Sequence, residues 1–182
     1  ASGYDSTMSE IANSREAFNQ IVADLGLQYI YIGGRHLTDG ALKQEKVKLL
    51  ILPYCQAMSE AEATAIRTFV EAGGTVLADT RPAVWNEHCR KLDKGWLDDV
   101  FGIARRPMDK YVAYGDLTCV EAMPGLPPGT VIDRATADQS VMATTAKAHG
   151  AVDGKPAVLV NSFGRGRAVL LNTFVGRYEL CQ

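Results

Sequence analysis

Val47–Asp79 reads VKLLILPYCQAMSEAEATAIRTFVEAGGTVLAD, and the order of residue types in it decides the fold class. The run VKLLILP, from Val47 to Pro53, is almost continuously apolar. That composition suits a strand covered on both faces at the centre of a parallel sheet. Ser59 and Glu62 form an S-x-x-E capping box that opens a helix. Ala63, Ile66, Phe69 and Val70 share one face of that helix, and Gly73 stands where a helix closes. Gly74 to Asp79 then reads as a second strand. Strand, crossover helix and parallel strand make a right-handed βαβ unit in nearly all known cases.

Upstream of this unit, Asn13 and Glu16 form an N-x-x-E cap, and Ala17, Phe18, Ile21, Val22 and Leu25 follow at helical spacing up to Gly26. Leu27 to Ile32 is rich in β-branched and aromatic residues and stops at Gly33-Gly34, so it reads as a strand. Downstream, Arg81, Pro82 and Trp85 fall in a loop, and Trp96 to Phe101 reads as a short helix ended by Gly102. Three β-prone runs follow, Tyr111 to Met123, Thr130 to Ala135 and Val141 to Ala146, separated by Pro124, Pro127-Pro128 and similar breakers; they predict antiparallel pairing. PAVLVNSFGRGRAVLLNTF, two apolar runs joined by a glycine-containing turn, predicts a hairpin at the sheet edge.

The chain has 182 residues, 47% hydrophobic and 22% charged, the balance of one ordinary globular domain. A formal charge of -2, without runs of either sign, leaves no electrostatic footprint for nucleic acid or an anionic membrane. No apolar stretch approaches the roughly 20 residues that span a bilayer. The four cysteines, Cys55, Cys89, Cys119 and Cys181, lack CxxC spacing and read as free thiols. Free thiols favour a soluble protein of a reducing, cytoplasmic compartment. The first helix has no strand before it, and the Glu179–Gln182 end lacks a cap, so the chain reads as a piece of a longer polypeptide.

Leu52-Pro53, Ser59, Ala72-Gly73-Gly74, the strand to Asp79 and the Leu97-to-Gly102 element together resemble the trimerisation domain of family 42 β-galactosidases. SREAFNQIVADLGLQY and FGRGRAVLLNTF extend the likeness over most of the chain. The resemblance implies an α/β, flavodoxin-like or class I glutamine amidotransferase-like three-layer fold. Its sheet would be mostly parallel, with an antiparallel C-terminal part, and 1–182 would be one domain. It implies an accessory module without catalysis or cofactor, following a catalytic barrel and helping to assemble subunits as a homo-oligomer, in particular a trimer. Carbohydrate would be met through the parent's barrel. An active amidotransferase places its nucleophilic cysteine after the strand equivalent to Gly74–Asp79, where this chain has Asp79-Thr80-Arg81. Asn172-Thr173-Phe174 replaces the His-x-Glu of such enzymes.

Other residues offer rival chemistry. Cys55, after a strand and before a helix, has the topology of a nucleophile elbow, though Pro53 does not suit one. With Cys89 it is the alternative nucleophile of a cysteine hydrolase or amidotransferase. Glu87, His88 and Cys89 occupy the loop beyond Asp79, the end of an α/β sheet where ligands bind. Adjacent side chains diverge, and no second ligand pair at a metal spacing is present. Arg81 and Trp85 are residue types enriched at interface hot spots, and a tryptophan also stacks on sugars, the basis of a carbohydrate-binding reading. Arg81, Trp85 and His88 are therefore the ligand or interface candidates. Gly164-Arg165-Gly166-Arg167 joins two strands and so lacks the helix N-terminus of a phosphate cradle. His36 and His149 read as surface residues.

Overall fold

The computed structural model describes residues 3–108, 110–123 and 127–176, with side chains from Ser9 onward. Pro124 and the Glu179–Gln182 end, with Cys181, lie outside the described residues. The chain opens with α1 (Gly3–Asp24) and two short helices, α2 (Gly34–Thr38) and α3 (Ala41–Gln44). The βαβ unit follows as β1 (Leu49–Leu52), α4 (Glu60–Glu71) and β2 (Thr75–Ala78). After it come β3 (Ile103–Arg105), β4 (Val112–Cys119), β5 (Val131–Asp138), β6 (Val141–Ala143), β7 (Lys147–Val152), β8 (Lys155–Phe163) and β9 (Gly166–Leu171).

Seven strands form one sheet in the order β1-β2-β9-β8-β7-β4-β5, and β3 pairs with β6 in a second. β1 with β2 and β2 with β9 are parallel; the other four pairings of the large sheet are antiparallel. The α/β class holds, but the mostly parallel, flavodoxin-like sheet is corrected. A parallel pair needs a crossover of about a dozen residues or more. α4 supplies one between β1 and β2, whereas the strands of the C-terminal half follow one another through short turns that permit only antiparallel return. β8 and β9 do form the hairpin, yet they lie inside the sheet, between β2 and β7. β1, expected at the centre, is an edge strand with Leu49 45% exposed.

The edge position of β1 follows from Leu27–Ile32, which forms no strand, so nothing pairs with β1 on its outer side among the described residues. β-propensity measures fit to a pleated, half-buried surface, and Tyr29, Ile30 and Tyr31 face solvent. Asn13 is no cap, because α1 starts at Gly3. α1 does end as the sequence indicates, with the Leu27 amide donating to Val22 O at 3.1 Å and Gly26 to Ala23 O at 2.9 Å. Trp96–Phe101 is a series of turns. The buried Asp98 carboxylate accepts the Gly95 amide at 2.9 Å, a local side-chain bond that competes with a helical ladder.

α4 opens with the full capping box, the Ser59 hydroxyl accepting from the Glu62 amide and the Glu62 carboxylate from the Ser59 amide. Gly73, at φ 110, closes it, donating to Val70 O at 2.9 Å while Gly74 donates to Phe69 O at 3.0 Å. Ile66, Val70, Val76, Leu97, Phe101, Leu159 and Leu170 lie in the main core, which joins α4 to β2, β8, β9 and the 96–103 turns. A smaller cluster, Leu117, Cys119, Ala137, Val152, Ala157 and Val158, sits under the antiparallel half. No helix among the described residues is long and apolar enough to cross a membrane.

Candidate functional site

Three non-glycine residues adopt left-handed backbone at the carboxyl ends of β1 and β2: Tyr54 (φ 48), Arg81 (φ 57) and Ala83 (φ 53). Such strain persists only where the surrounding structure overdetermines it. Here hydrogen bonds do so: Ala83 donates to Cys55 O at 2.9 Å, Trp85 to Gln56 O at 3.0 Å and Met58 to Trp85 O at 3.1 Å. The loops after the two parallel strands are thereby laced into one surface.

Asp79, 1% exposed, is the hub of this end of the sheet. Ser14 Oγ of α1 donates to its Oδ2 at 2.6 Å, and the Tyr54 amide to Oδ1 at 2.6 Å. Burial pushes the Asp79 carboxyl up to about 6, opposed by hydrogen bonds from Ser14 and from the amides of Tyr54 and Val175. The Tyr54 hydroxyl donates to Glu10, and its ring meets Phe174 edge-on at 5.6 Å. The carboxylate thus ties α1, the β1 loop and the C-terminal segment together.

Cys55 follows the strained position, which is held by Tyr54. Burial pushes its thiol up to about 12, and the Asp79 and Glu62 carboxylates add to the rise. A thiol so placed is protonated at neutral pH, and its Sγ donates to Pro53 O at 3.5 Å. Cys89 is exposed on the far loop. His88 is exposed beside Glu87, with Nε2 3.7 Å from Oε1. Trp85 is half-buried and links the two loops through its backbone. Asn172, fully buried, donates from Nδ2 to Asp138 O at 2.9 Å and Pro156 O at 2.8 Å. No three His, Cys, Asp or Glu among the described residues are grouped to hold a metal. His36 is exposed, but His149 is half-buried on β7, with Nδ1 3.7 Å from Glu121 Oε2.

Arg81 alone of the sequence-derived candidates lines a cleft of about 250 Å³, together with Lys91, Arg105, Arg106, Tyr111 and Asp138. Arg105 bridges two buried carboxylates, from Nε to Asp98 Oδ1 and from Nη1 to Asp138 Oδ2, each at 3.0 Å. Arg81 Nε lies 3.5 Å from the same Asp138 oxygen, and its guanidinium covers the Tyr111 ring 4.7 Å from the centroid. Sequence reasoning missed Lys91, Arg105, Arg106, Tyr111 and Asp138. Apart from the adjacent Arg105 and Arg106 they lie on separate segments, without a motif spacing, and only the fold brings them together.

The chain matches the β-galactosidase trimerisation domain over residues 38–180. The β-galactosidase of Rahnella sp. R3 superposes with a TM-score of 0.58 at 24% identity, over 69% of this chain and 20% of that one. The β-galactosidase of Bacillus circulans sp. alkalophilus gives 0.61 at 19% identity, over 80% and 25%. A cytoplasmic protein of Salmonella typhimurium gives 0.64 at 10% identity, over 91% and 78%. A search of curated protein sequences finds no match. The chain spans about a quarter or less of the two β-galactosidases. With more than half of its length matched, the chain belongs to the β-galactosidase trimerisation domain family.

Proposed function

We propose that this domain assembles the subunits of a β-galactosidase-like glycoside hydrolase into a trimer, shapes the entrance of a neighbouring barrel, and performs no catalysis itself. Sugar would reach the parent's barrel, and Arg81, Trp85 and His88, on loops at the carboxyl end of the parallel strands, would face ligand or subunit. The three parallel strands with their crossover helix support kinship with class I glutamine amidotransferases. Asp79, where those enzymes carry a cysteine, ties the loops together.

One observation carries the assembly reading. Leu25, Leu27, Tyr29, Ile30 and Tyr31 are 67%, 55%, 48%, 56% and 68% exposed within a single short segment. Clustered exposure of large apolar side chains marks surfaces that are covered in an assembly. Sedimentation of the chain across a concentration series tests the reading: self-association toward a trimer is the expected result. A strict monomer throughout would overturn the claim that this domain holds subunits together.

A further inference from the structure

Arg81 apart, the residues of the cleft that it lines have no part in the assembly reading, and their chemistry is distinctive. Two of its donors, Arg81 Nε and Arg105 Nη2, are buried and have no hydrogen-bond acceptor. Both guanidiniums are ion-paired, Arg81 with Asp138 and Arg105 with Asp98 and Asp138, yet nearly all buried polar groups in native proteins are partnered, so each open N–H marks a place for an acceptor. The neighbouring carboxylates are already committed. Asp98 accepts from Gly95 and Arg105, while Asp138 accepts from Arg105 and from the Ser140 amide at 2.9 Å. Arg106 is exposed on the cleft wall, and its amide, held by Ser140 O at 3.0 Å, anchors the backbone without using the side chain. Lys91 Nζ donates to the Tyr111 hydroxyl at 2.6 Å and keeps further N–H groups free of that bond.

Four cations therefore line a concave site with two carboxylates, Asp93 and Asp138; Asp138 already pairs with Arg105 and Arg81, and Asp98, outside the lining, pairs with Arg105. Guanidinium groups with free N–H donors recognise oxyanions, carboxylate or phosphate, through directed charge-assisted bonds. We propose that this cleft binds the oxyanion group of a small ligand, held by Arg81, Arg105, Arg106 and Lys91, with Tyr111 as its apolar wall. The concavity and small volume fit a monosaccharide-sized acid or an inorganic ion better than a protein surface.

Isothermal titration of the chain with inorganic phosphate, with galacturonate and with neutral galactose tests this. Binding of phosphate or galacturonate, weakening as salt rises, with galactose silent, is the expected result. Preference between the two anions distinguishes a free ion from a sugar acid. The double variant Lys91→Gln/Arg106→Gln leaves the buried Asp98–Arg105–Asp138 network intact, and we expect at least about tenfold weaker anion binding from it with an unchanged circular dichroism spectrum. Arg81→Lys, which keeps the charge and loses the planar fork, should weaken binding as well. Absence of binding by both anions, equal binding of galactose, or full affinity in the double variant would each overturn the proposal. So would loss of self-association in the double variant when the parental chain binds neither anion, because the cations would then serve a protein contact.

Discussion

Asp79 is a carboxylate that folding desolvates and then pins with hydrogen bonds from Ser14 and from the amides of Tyr54, Val175 and its own residue, and desolvation dominates. Its folded pKa, about 6, lies above the 3.8 of the free group, so the native state binds the proton more tightly than the unfolded chain. The stabilising contribution is therefore full below about pH 4 and is lost as pH rises through about 6, a change of about 3 kcal/mol. Burial raises the Asp98 carboxyl too, against its bonds to Arg105, and adds a slope of the same sign. Denaturant titrations at pH 4.5 and pH 7 should show Asp79→Asn narrowing the stability gap between them without closing it. An unchanged gap would mean that the native Asp79 keeps an ordinary pKa. The asparagine can still accept from the Tyr54 amide and donate to Ser14, so the fold should survive.

At the scale of elements, the Gly164–Arg167 turn does for α4 what a C-terminal cap does for a helix. Arg165 donates its amide to Glu71 O at 3.1 Å and its guanidinium to Ala72 O at 3.2 Å, satisfying carbonyls that the helix end leaves open. Arg167 donates to Gly74 O at 3.2 Å. A β-carbon on Gly166 would stand 2.1 Å from Val70 O and 2.2 Å from Gly74 O, both backbone atoms that cannot swing aside. Gly166→Ala should therefore destabilise the domain by about 1–3 kcal/mol in thermal or chemical melts, by forcing the hairpin off the end of α4. A neutral result would show that the hairpin tip moves freely against the helix. The sequence identified the hairpin and excluded a phosphate cradle, but the capping of α4 joins residues that are far apart along the chain.

At the scale of the whole molecule, the Leu25–Tyr31 segment gathers five exposed large apolar side chains, Leu25, Leu27, Tyr29, Ile30 and Tyr31, in one short stretch. Ile30 is 56% exposed, so Ile30→Lys should leave stability within about 0.5 kcal/mol of the parental chain. The same substitution should shift the sedimentation profile toward monomer, because a buried interfacial charge without a partner is costly. Association unchanged by the substitution would place the subunit contact elsewhere, for instance on the β4–β5 strand pair, where Val112, Tyr114, Val131 and Ile132 are exposed.

The sequence by itself determined the βαβ unit, the capping box at Ser59, the helix stop at Gly73 and the β8–β9 hairpin, because each rests on contacts between near neighbours in the chain. It also carried the family resemblance and the absence of cysteine at Asp79. Strand order belonged to the tertiary structure. Leu27–Ile32 has the residue types of a strand but does not pair with the open edge of β1, and the apolar run of β1 reads the same whether it lies at the centre or the rim. The cleft was equally illegible, since Arg81, Lys91, Arg105 and Asp138 are ordinary isolated charges until β5 and the 79–106 loops bring them together. Local periodicity encodes elements, whereas the pairing of distant strands and the meeting of distant charges depend on which surfaces the whole chain can bury.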